Sequence, residues 1–339
     1  MTSGVNVGLI GAGRIGRLHA EHLAFRIPEA NFVAVSDIIL EAAQKCAAEF
    51  GIPTATQDHR AIMENPDIEA VVVCSSTDTH AQMIEEAAAA GKHIFCEKPI
   101  DYDLARIDRA LAAVEKAGVK LQIGFNRRFD PNFRRVRELV ADGKIGEPHI
   151  LRITSRDPAP PPIEYIKVSG RIFLDMTIHD FDMARYLIGS EVEEIYATGG
   201  VMVDPAIGEA GDIDTAVITL RFENGVIGTI DNSRQAVYGY DQRVEVFGSK
   251  GCVTADNDYP NTARISDAQR VHRDLPLNFF MERYIASYIA EMRAFFRCVL
   301  EDKTPPVTGV DGRVPVVMGY AAEKSIRENR PVRLSEIEA

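Results

Sequence analysis

The stretch GLIGAGRIGRLHA, residues 8–20, decides how the N-terminal part of this chain folds. An apolar run at 5–10 leads into glycines with the spacing G-x-G-x-x-G, at Gly11, Gly13 and Gly16. Gly11 permits a tight turn, Gly13 lets the backbone approach a ligand, and Gly16 lets the next helix pack closely on the strand. Because the free N–H groups at a helix start attract anions, the stretch predicts a phosphate-binding strand, turn and helix.

The residues that follow alternate short apolar runs with helical patterns. The patterns predict further strands at 31–37, 70–76, 93–98 and 120–125, and helices at 16–25, 40–50, 79–90 and 103–117. Apolar strands separated by helices are typical of a parallel sheet that is covered on both faces. Residues 1–125 are therefore predicted to form a Rossmann dinucleotide-binding domain.

After Phe125 the pattern changes to alternating apolar and polar residues. It predicts strands at 148–157, 193–202, 214–222, 225–236 and 242–256, with an amphipathic helix at about 283–300. Such alternation is typical of an antiparallel sheet with one solvated face. Residues 126–339 are therefore predicted to form an α+β domain on a large, mostly antiparallel open sheet. The predicted fold class is α/β followed by α+β.

Composition excludes several classes of function. The formal net charge of −12 argues against a general affinity for nucleic acid or anionic membrane. No run approaches the roughly 20 apolar residues of a membrane span, and the N-terminus lacks the basic region of a signal peptide. A cytoplasmic location is therefore expected. No metal site is expected either, because the cysteines are dispersed without a C-x-x-C pair. They are Cys46, Cys74, Cys96, Cys252 and Cys298.

Asp37 indicates which dinucleotide the first domain binds. It ends the second predicted strand, 21 residues after Gly16, where an acid can hold ribose hydroxyls. A carboxylate there repels a 2′-phosphate, and the next residues, Ile38 and Ile39, supply no arginine to bind one. NAD is therefore predicted as the cofactor rather than NADP.

Two further segments identify a family. They are TDTHAQMIEEAAAAGKHIFCEKP at 77–99 and DMTIHD at 175–180. Together with GAGRIG at 11–16, they resemble the Gfo/Idh/MocA family of oxidoreductases, and the resemblance covers essentially the whole chain. The E-K-P motif with a downstream D-x-x-x-H is specific, whereas G-x-G-x-x-G alone is not.

The resemblance implies a catalytic group of Lys98, Asp175 and His179. His179 is the general base, as suits a side chain that titrates near neutral pH. Asp175 stands four residues earlier, one turn away on a helix, and orients the ring. Lys98 hydrogen-bonds the reacting oxygen and keeps the base neutral. The residues expected at the cofactor are Gly11, Gly13, Arg14, Ile15, Asp37, Ser75, Thr77, His80, Glu97 and Lys98.

Within the family, three segments are most similar in form to the inositol 2-dehydrogenases. They are GFNRRFDPNF at 124–133, SRDPAPPP at 155–162 and FLDMTIHDFDMARYL at 173–187. The implied reaction is the NAD-dependent oxidation of a cyclic polyol, myo-inositol, to its 2-keto product. The residues expected to contact this substrate are Lys98, Arg127, Asp157, Asp175, His179 and Tyr238, with Tyr240 as an alternative to Tyr238.

Several alternatives stay open. The same motifs fit a scyllo-inositol or an aldose dehydrogenase of the family, and a sensor that binds NAD without chemistry would share the fold. Arg171 stands where the subgroup is expected to have a small residue, so it is a candidate to change the preferred stereoisomer or sugar. The resemblance also implies a homotetramer that forms through the C-terminal sheet.

Overall fold

The structure is a computed structural model, which describes residues 4–337. The described chain divides into two compact units. The first contains residues up to 126 together with 286–316, and the second contains 127–285 together with the residues from 317 onward. The sequence prediction placed 286–316 in the second domain, whereas the structure packs this segment with the first unit.

The first unit is built on a six-stranded parallel sheet with strand order β3-β2-β1-β4-β5-β6. Its strands are β1 (Val5–Ile10), β2 (Ala30–Ser36), β3 (Thr54–Thr56), β4 (Ala70–Val73), β5 (His93–Cys96) and β6 (Leu121–Ile123). Its helices are α1 (Arg14–Phe25), α2 (Leu40–Phe50), α3 (Arg60–Met63), α4 (Thr77–Ala89) and α5 (Leu104–Ala117). This is the predicted Rossmann arrangement, with β3 and α3 as elements that the sequence patterns did not predict.

A C-terminal helix completes the core of the first unit. The buried side chains of Met292, Phe295 and Phe296 belong to the same apolar cluster as Val7 and Leu9 of the parallel sheet. These three side chains are fully buried, so the helix gains much of its stability from this packing. The 286–316 segment therefore belongs with the first unit although it lies far from it in sequence.

The second unit is built on a seven-stranded mixed sheet with strand order β12-β11-β7-β10-β9-β8-β15. The remaining strands are β7 (Pro148–Arg156), β8 (Val192–Gly200), β9 (Thr215–Phe222), β10 (Ile227–Ser233), β11 (Asp241–Gly248), β12 (Gly251–Ala255), β13 (Arg264–Ser266), β14 (Val271–Arg273) and β15 (Val332–Arg333). The helices of the second unit are α6 (Pro131–Ala141), α7 (Ile163–Ile166), α8 (Arg171–Asp175), α9 (Thr177–Ile188), α10 (Pro205–Glu209) and α11 (Phe280–Arg283). Of the two C-terminal helices, α12 (Ile285–Leu300) belongs almost entirely to the first unit, and α13 (Gly309–Glu328) has residues in both units. The two sheets confirm the predicted fold class.

One pair of strands in the mixed sheet is parallel. β10 runs parallel to β7 in register from Ile227 opposite Ile150 to Ser233 opposite Arg156, whereas the other paired strands of this sheet are antiparallel. Because parallel strands end at the same edge, the residues that follow β7 and β10 leave the sheet side by side. These residues are Asp157 and Arg234.

The DMTIHD segment forms two helices rather than one. α8 ends at Asp175 and α9 starts at Thr177, with Met176 between them at φ −97° and ψ −60°. The His179 N–H donates to the Met176 carbonyl at 3.3 Å, a three-residue spacing that tightens the junction. The expectation that Asp175 and His179 lie on one continuous helix is therefore wrong.

The sequence patterns also missed α13, a 20-residue helix that contains Pro315. No helix within residues 4–337 is long and apolar enough to span a membrane. The five cysteines all lie in the described part of the chain, and none of them forms a disulfide.

Candidate functional site

The glycine turn of the first unit has the geometry that its sequence predicts. Gly11 has a left-handed φ of 98°, and a Cβ built on it would lie 2.5 Å from the Cys74 carbonyl oxygen. A Cβ on Gly16 would lie 1.9 Å from the Gly11 oxygen, so only glycine lets α1 approach the turn this closely. A Cβ on Gly13 would meet nothing within 4 Å, which leaves this part of the turn open to a ligand.

The start of α1 is suited to an anion. Gly13 caps the helix without a side-chain hydrogen bond, and its first turn contains no acid. Gly13 and Arg14 are exposed, and Ile15 is half-buried. The first turn of this 12-residue helix therefore supplies no acid of its own that would repel an anion, which fits the phosphates of a dinucleotide.

Asp37 is held against this turn by backbone groups. Its Oδ2 accepts a hydrogen bond from the Ala12 N–H at 2.7 Å, and its Oδ1 accepts one from the Ile39 N–H at 2.9 Å. The neighbouring Ile38 and Ile39 are 83% and 59% exposed. A fixed carboxylate beside exposed apolar side chains fits an adenosine with free ribose hydroxyls and repels a 2′-phosphate.

The loop after β4 places three of the predicted cofactor residues together. The Ser75 and Thr79 hydroxyl oxygens lie 2.7 Å apart, and Thr77 is the first residue of α4. The buried His80 ring lies between two carbonyls, with Nδ1 2.8 Å from the Pro99 oxygen and Nε2 3.0 Å from the Ser75 oxygen. His80 therefore ties the loop after β4 to the loop after β5. Its contact with a cofactor stays a prediction.

The E-K-P segment follows β5. Glu97 is buried, and its Oε1 lies 2.7 Å from His19 Nε2 of α1. Lys98 is half-buried, and the Lys98–Pro99 peptide bond is cis. The Glu97 side chain thus contacts α1 inside the first unit, while the next residue is partly accessible.

In the second unit Asp175 is oriented by two donors. Its Oδ1 accepts a hydrogen bond from the Tyr165 hydroxyl at 2.9 Å, and its Oδ2 accepts one from Arg234 Nη1 at 3.0 Å. The Arg234 side chain is 1% exposed, and its Nη2 lies 3.6 Å from Asp212 Oδ2. A buried guanidinium thus neutralises acids that come from two separate segments.

Asp157 belongs to the same neighbourhood. Its backbone bonds to the strand beside it, with its N–H donating to the Ser233 carbonyl at 2.9 Å and its carbonyl accepting from the Ala236 N–H at 2.6 Å. Burial raises the pKa of its carboxyl to about 6, and the charge of Asp175 adds to this rise, whereas Arg234 opposes it. Asp157 is therefore a carboxyl that changes protonation within a mildly acidic range.

Arg127 and Asp180 form a buried ion pair beside this group. Arg127 Nη1 lies 2.6 Å from Asp180 Oδ1, and the second oxygen of Asp180 accepts from Asn232 Nδ2 at 2.8 Å. Thr177 donates to Asn232 Oδ1 at 2.6 Å. This network fixes the first turn of α9, which carries the half-buried His179. The structure shows Arg127 supporting that turn, and its contact with substrate stays a prediction.

The structure distinguishes the two tyrosines that the sequence offered. Tyr240 is buried and lies within hydrogen-bond distance of the Arg127 guanidinium, at 3.4 Å. Tyr238 is 37% exposed and donates to Asp241 Oδ2 at 2.6 Å, within a different group that also contains Arg156. Tyr240 therefore lies beside the Arg127–Asp180 ion pair. Within the described chain, Tyr238 forms no hydrogen bond with Arg127, Asp157 or Asp180.

Sequence reasoning missed three residues of the second unit: Asp180, Asn232 and Arg234. Asp180 directly follows His179, so its position in the sequence could have identified it as a candidate site residue. Asn232 and Arg234 lie in the polar segment DNSR at the end of β10. Their nearness to Asp157 depends on the parallel pairing of β7 and β10, which alternation alone does not predict.

The first unit's glycine turn, open helix start and strand-end acid define the class of dinucleotide-binding proteins with a Rossmann fold. The chain belongs to the Gfo/Idh/MocA oxidoreductase family. The family's NAD-binding Rossmann-fold model matches residues 5–125, and the model of its C-terminal domain matches residues 133–254. The predicted family and the predicted NAD cofactor are thereby confirmed.

Three known proteins show where the chain falls within this family. It is 52% identical, over 98% of its length and 99% of the relative, to the myo-inositol 2-dehydrogenase of Thermotoga maritima. It is 36% identical, over 97% of its length and 96% of the relative, to the scyllo-inositol 2-dehydrogenase (NAD(+)) of Bacillus subtilis. The crystal structure of a Lactobacillus casei myo-inositol dehydrogenase with NAD(H) and myo-inositol matches with a TM-score of 0.88 at 27% identity, covering 98% of this chain and 97% of that one.

Proposed function

We propose that this protein oxidises myo-inositol to 2-keto-myo-inositol (scyllo-inosose) with NAD as the oxidant. The observation that carries the proposal is the 52% identity to a myo-inositol 2-dehydrogenase across nearly the whole of both chains. The cluster of acids and arginines at the edge of the mixed sheet supports it, because a ring with many hydroxyls needs several fixed donors and acceptors.

The reaction divides between the cofactor and the protein. NAD, when bound, accepts the hydride from the carbon that carries the reacting hydroxyl. The proton of that hydroxyl passes to a ring nitrogen of His179, which acts as general base. The Lys98 ammonium donates a hydrogen bond to the same oxygen as it becomes a carbonyl oxygen. Asp175 orients the imidazole and stabilises its protonated form.

The Asp175 carboxylate is held in a fixed orientation before any substrate binds. The Tyr165 hydroxyl and the Arg234 guanidinium hold its two oxygens, so the carboxylate keeps one orientation. A carboxylate held in this way loses little freedom when it acts on a neighbouring group.

The remaining substrate contacts are assigned by chemistry. Asp157 is the proposed acceptor for ring hydroxyls, with Arg127 and Tyr238 as further proposed contacts. Tyr240 is an additional candidate because its hydroxyl is close to the Arg127 guanidinium. A carboxyl and a guanidinium together can hold two adjacent hydroxyls.

A scyllo-inositol dehydrogenase is the second candidate. The 36% identity to the Bacillus subtilis enzyme favours it over unrelated chemistry, and the higher identity to the Thermotoga protein ranks it below myo-inositol. In this proposal both activities would draw on the same NAD, base and lysine, and they would differ in the orientation of the reacting hydroxyl, which is axial in myo-inositol and equatorial in scyllo-inositol.

A panel of polyols tests the proposal. Purified protein is incubated with NAD and, in separate assays, myo-inositol, scyllo-inositol, D-chiro-inositol and glucose, and NADH formation is followed by absorbance. We expect the highest kcat/KM with myo-inositol, and product analysis should give the 2-keto compound. A preference for scyllo-inositol or glucose supports the corresponding alternative. Tight NAD binding without turnover of any of the four supports an NAD-binding sensor.

We also propose that the protein is a homotetramer that assembles through the open face of the mixed sheet. Phe247, Ile150 and Ile227 are opposite one another on β11, β7 and β10, and they are 45%, 37% and 53% exposed. A row of exposed apolar side chains across three strands is typical of an interface. A second copy of the chain would supply a matching apolar face.

Light scattering tests the assembly. Phe247→Glu should lower the mass of the particle from four chains to two or one, because a buried charge at the interface is costly. Ile265→Glu is the matched control, since Ile265 is 63% exposed and lies on β13, outside this sheet. An unchanged mass for Phe247→Glu would contradict the proposed interface. The cytoplasmic location remains a prediction from sequence.

A further inference from the structure

A buried cluster in the first unit contains two carboxyl groups and a histidine. His19 of α1, Glu97 after β5 and Glu291 of α12 are 0%, 7% and 0% exposed. One nitrogen or oxygen atom from each lies within 4.8 Å of the others. None of the proposed steps of the reaction uses Glu291 or His19. The cluster nevertheless adjoins Lys98, because Glu97 is the residue before it.

Glu291 has an unusual environment for a carboxyl group. Within residues 4–337, neither of its oxygens has a hydrogen-bond partner, and no arginine or lysine forms an ion pair with it. The helix backbone beside it is fixed, because Gln122 Nε2 donates to the Glu291 carbonyl oxygen at 2.9 Å. Burying a charged carboxylate without a counterion costs free energy, and a proton on Glu291 removes this cost by neutralising the group.

A bound metal ion is the other way to neutralise the pair of carboxyls. The structure argues against it, because His19 Nε2 and Glu97 Oε1 are only 2.7 Å apart. Two ligands of a tetrahedral ion with bonds of about 2.0 Å lie roughly 3.3 Å apart. The 2.7 Å separation is that of a hydrogen bond between the ring and the carboxylate.

Glu97 is confined on another side by the chain itself. A Cβ built on Gly124, just after β6, would lie 3.1 Å from the Glu97 carboxyl carbon. The Glu97 N–H also donates to the Val73 carbonyl of β4 at 3.0 Å. The Glu97 side chain therefore has little room to move as long as the groups around it stay in place.

We propose that Glu291 is a positioning residue: its carboxyl group carries a proton, shares it with the Glu97 carboxylate directly or through one water, and so fixes the segment that presents Lys98. Glu97 then accepts hydrogen bonds from His19 on one side and from Glu291 on the other. The importance of Lys98 rests on the proposed function, whereas the protonation of Glu291 and the fixing of Glu97 do not.

The titratable groups around Glu291 agree with this arrangement. Burial, together with the charge of Glu97, raises the pKa of Glu291 well above its ordinary value. Burial likewise raises the pKa of the Cys74 and Cys96 thiols, so both stay neutral. His19 lies in the same cluster, and the ring of Tyr288 packs edge-on against that of His19.

Thermal unfolding as a function of pH tests for the proton. Glu291 takes up a proton on folding at any pH above its unfolded pKa, so its contribution to stability is complete below about pH 4.5 and falls as the pH rises. Glu291→Gln keeps the size and a hydrogen donor but never ionises. We expect the Tm of this variant, relative to wild type, to rise by at least about 3 °C between pH 5 and pH 8.

Activity and structure test the positioning role. Glu291→Gln should keep the wild-type kcat, whereas Glu291→Ala should lower kcat with polyol by about 10- to 100-fold with little change in the KM for NAD. A crystal structure of Glu291→Ala should show a displaced Glu97 side chain. Gly124→Ala is the second variant, since it pushes on Glu97 and leaves Glu291 intact, and it should lower kcat in the same way. Glu301→Gln, at an exposed site after α12, is the control.

Three results would overturn the proposal. The first is a difference in Tm between Glu291→Gln and wild type that stays constant with pH. The second is one equivalent of bound metal in the purified wild-type protein. The third is an unchanged Glu97 position in the Glu291→Ala crystal structure. If wild type turns over no polyol, the proposed function fails, while the melting curves and the crystal structure still decide the role of Glu291.

Discussion

The polar edges of the two sheets are built in different ways. At the edge of the parallel sheet, backbone groups form most of the site, namely the turn at Gly11 and Gly13 and the start of α1. The acid at this edge, Asp37, is itself held by the Ala12 and Ile39 N–H groups. At the edge of the mixed sheet the charged side chains hold one another, as Arg234 holds Asp175 and lies beside Asp212.

The difference has a physical cause. Phosphates are similar in every dinucleotide, so a fixed backbone turn and a helix start can bind them with any surrounding side chains. A polyol is recognised by the positions of its hydroxyls, which requires side chains of defined type and orientation. Side chains with two or more rotatable bonds keep such orientations only when neighbours hold them. The ion pairs around Arg234 and Arg127 supply these neighbours.

The largest effect should come from the residues that are assigned to the chemistry itself. His179→Ala and Lys98→Ala should each lower kcat by about 10²- to 10⁴-fold, because a general base and an oxygen-stabilising donor are lost. NAD binding of His179→Ala, measured by fluorescence titration, should stay close to wild type, since the backbone turn is untouched. The controls are His272→Ala and Lys116→Ala, both at exposed positions. Full turnover in either test variant would contradict the mechanism.

The second prediction tests whether the parallel-sheet edge depends on its acid as well as its backbone. Asp37→Ala should raise the KM for NAD by about 10- to 100-fold, since bonds to a charged group contribute about 1.5–3 kcal/mol each. Activity with NADP should rise relative to NAD, because the repulsion of a 2′-phosphate is removed. Initial rates with both cofactors measure this, with Asp67→Ala as a control at an exposed site. An unchanged NAD to NADP ratio would mean that the backbone alone selects the cofactor.

The same contrast explains how much of the molecule the sequence could predict. The glycine turn and Asp37 are encoded within 30 consecutive residues, and the structure places them as predicted, with the N–H of Ala12 bonded to Asp37. The E-K-P and D-x-x-x-H segments were equally visible. Neither needs knowledge of which strands pair.

What the sequence could not predict depends on contacts between distant segments. Arg234 and Asp157 follow neighbouring strand ends because β10 runs parallel to β7, in a sheet whose alternation indicated antiparallel neighbours. The break at Met176 between α8 and α9 leaves the helical pattern intact and so gives no signal. The packing of α12 with the parallel sheet depends on apolar side chains that would suit any core.

A third prediction concerns the pH response of the mixed-sheet edge. The folded pKa of Asp157 is about 6, above the ordinary 3.8, because of burial and then Asp175. Because the pKa is raised on folding, the contribution of Asp157 to folding stability is complete below about pH 4 and is lost as the pH rises through 6. Asp157→Asn should therefore gain stability relative to wild type between pH 4 and pH 7, by roughly 3 kcal/mol at most.

Urea unfolding at several pH values measures this gain. Arg234→Met offers a matched comparison, because it removes the main opposing charge and should move the transition of Asp157 to higher pH. If Asp157 binds substrate hydroxyls as an ionised acceptor, the wild-type kcat/KM for myo-inositol should also rise with pH through about 6. A stability difference that is independent of pH would show that Asp157 is already ionised at pH 4.

The smallest effect is expected at Arg171, which the sequence suggested as a contributor to substrate choice. Its φ of 65° lies in the left-handed region, where a residue other than glycine is strained by about 1 kcal/mol. Its charge also lowers the pKa of Asp212 and Glu323, although burial raises both overall. Arg171→Gly should relieve the strain and lose this attraction, so its stability should differ from wild type by less than about 1 kcal/mol.

Two further variants separate the causes. Arg171→Lys keeps the charge and the strain, whereas Arg171→Asn tolerates the left-handed backbone and loses the charge. The ratio of kcat/KM for myo-inositol to that for scyllo-inositol should stay constant across all three variants if Arg171 serves only its acidic neighbours. A ratio that changes in the Gly and Asn variants and is retained in the Lys variant would instead show that the Arg171 charge acts on the substrate, and would extend the mixed-sheet site to the start of α8.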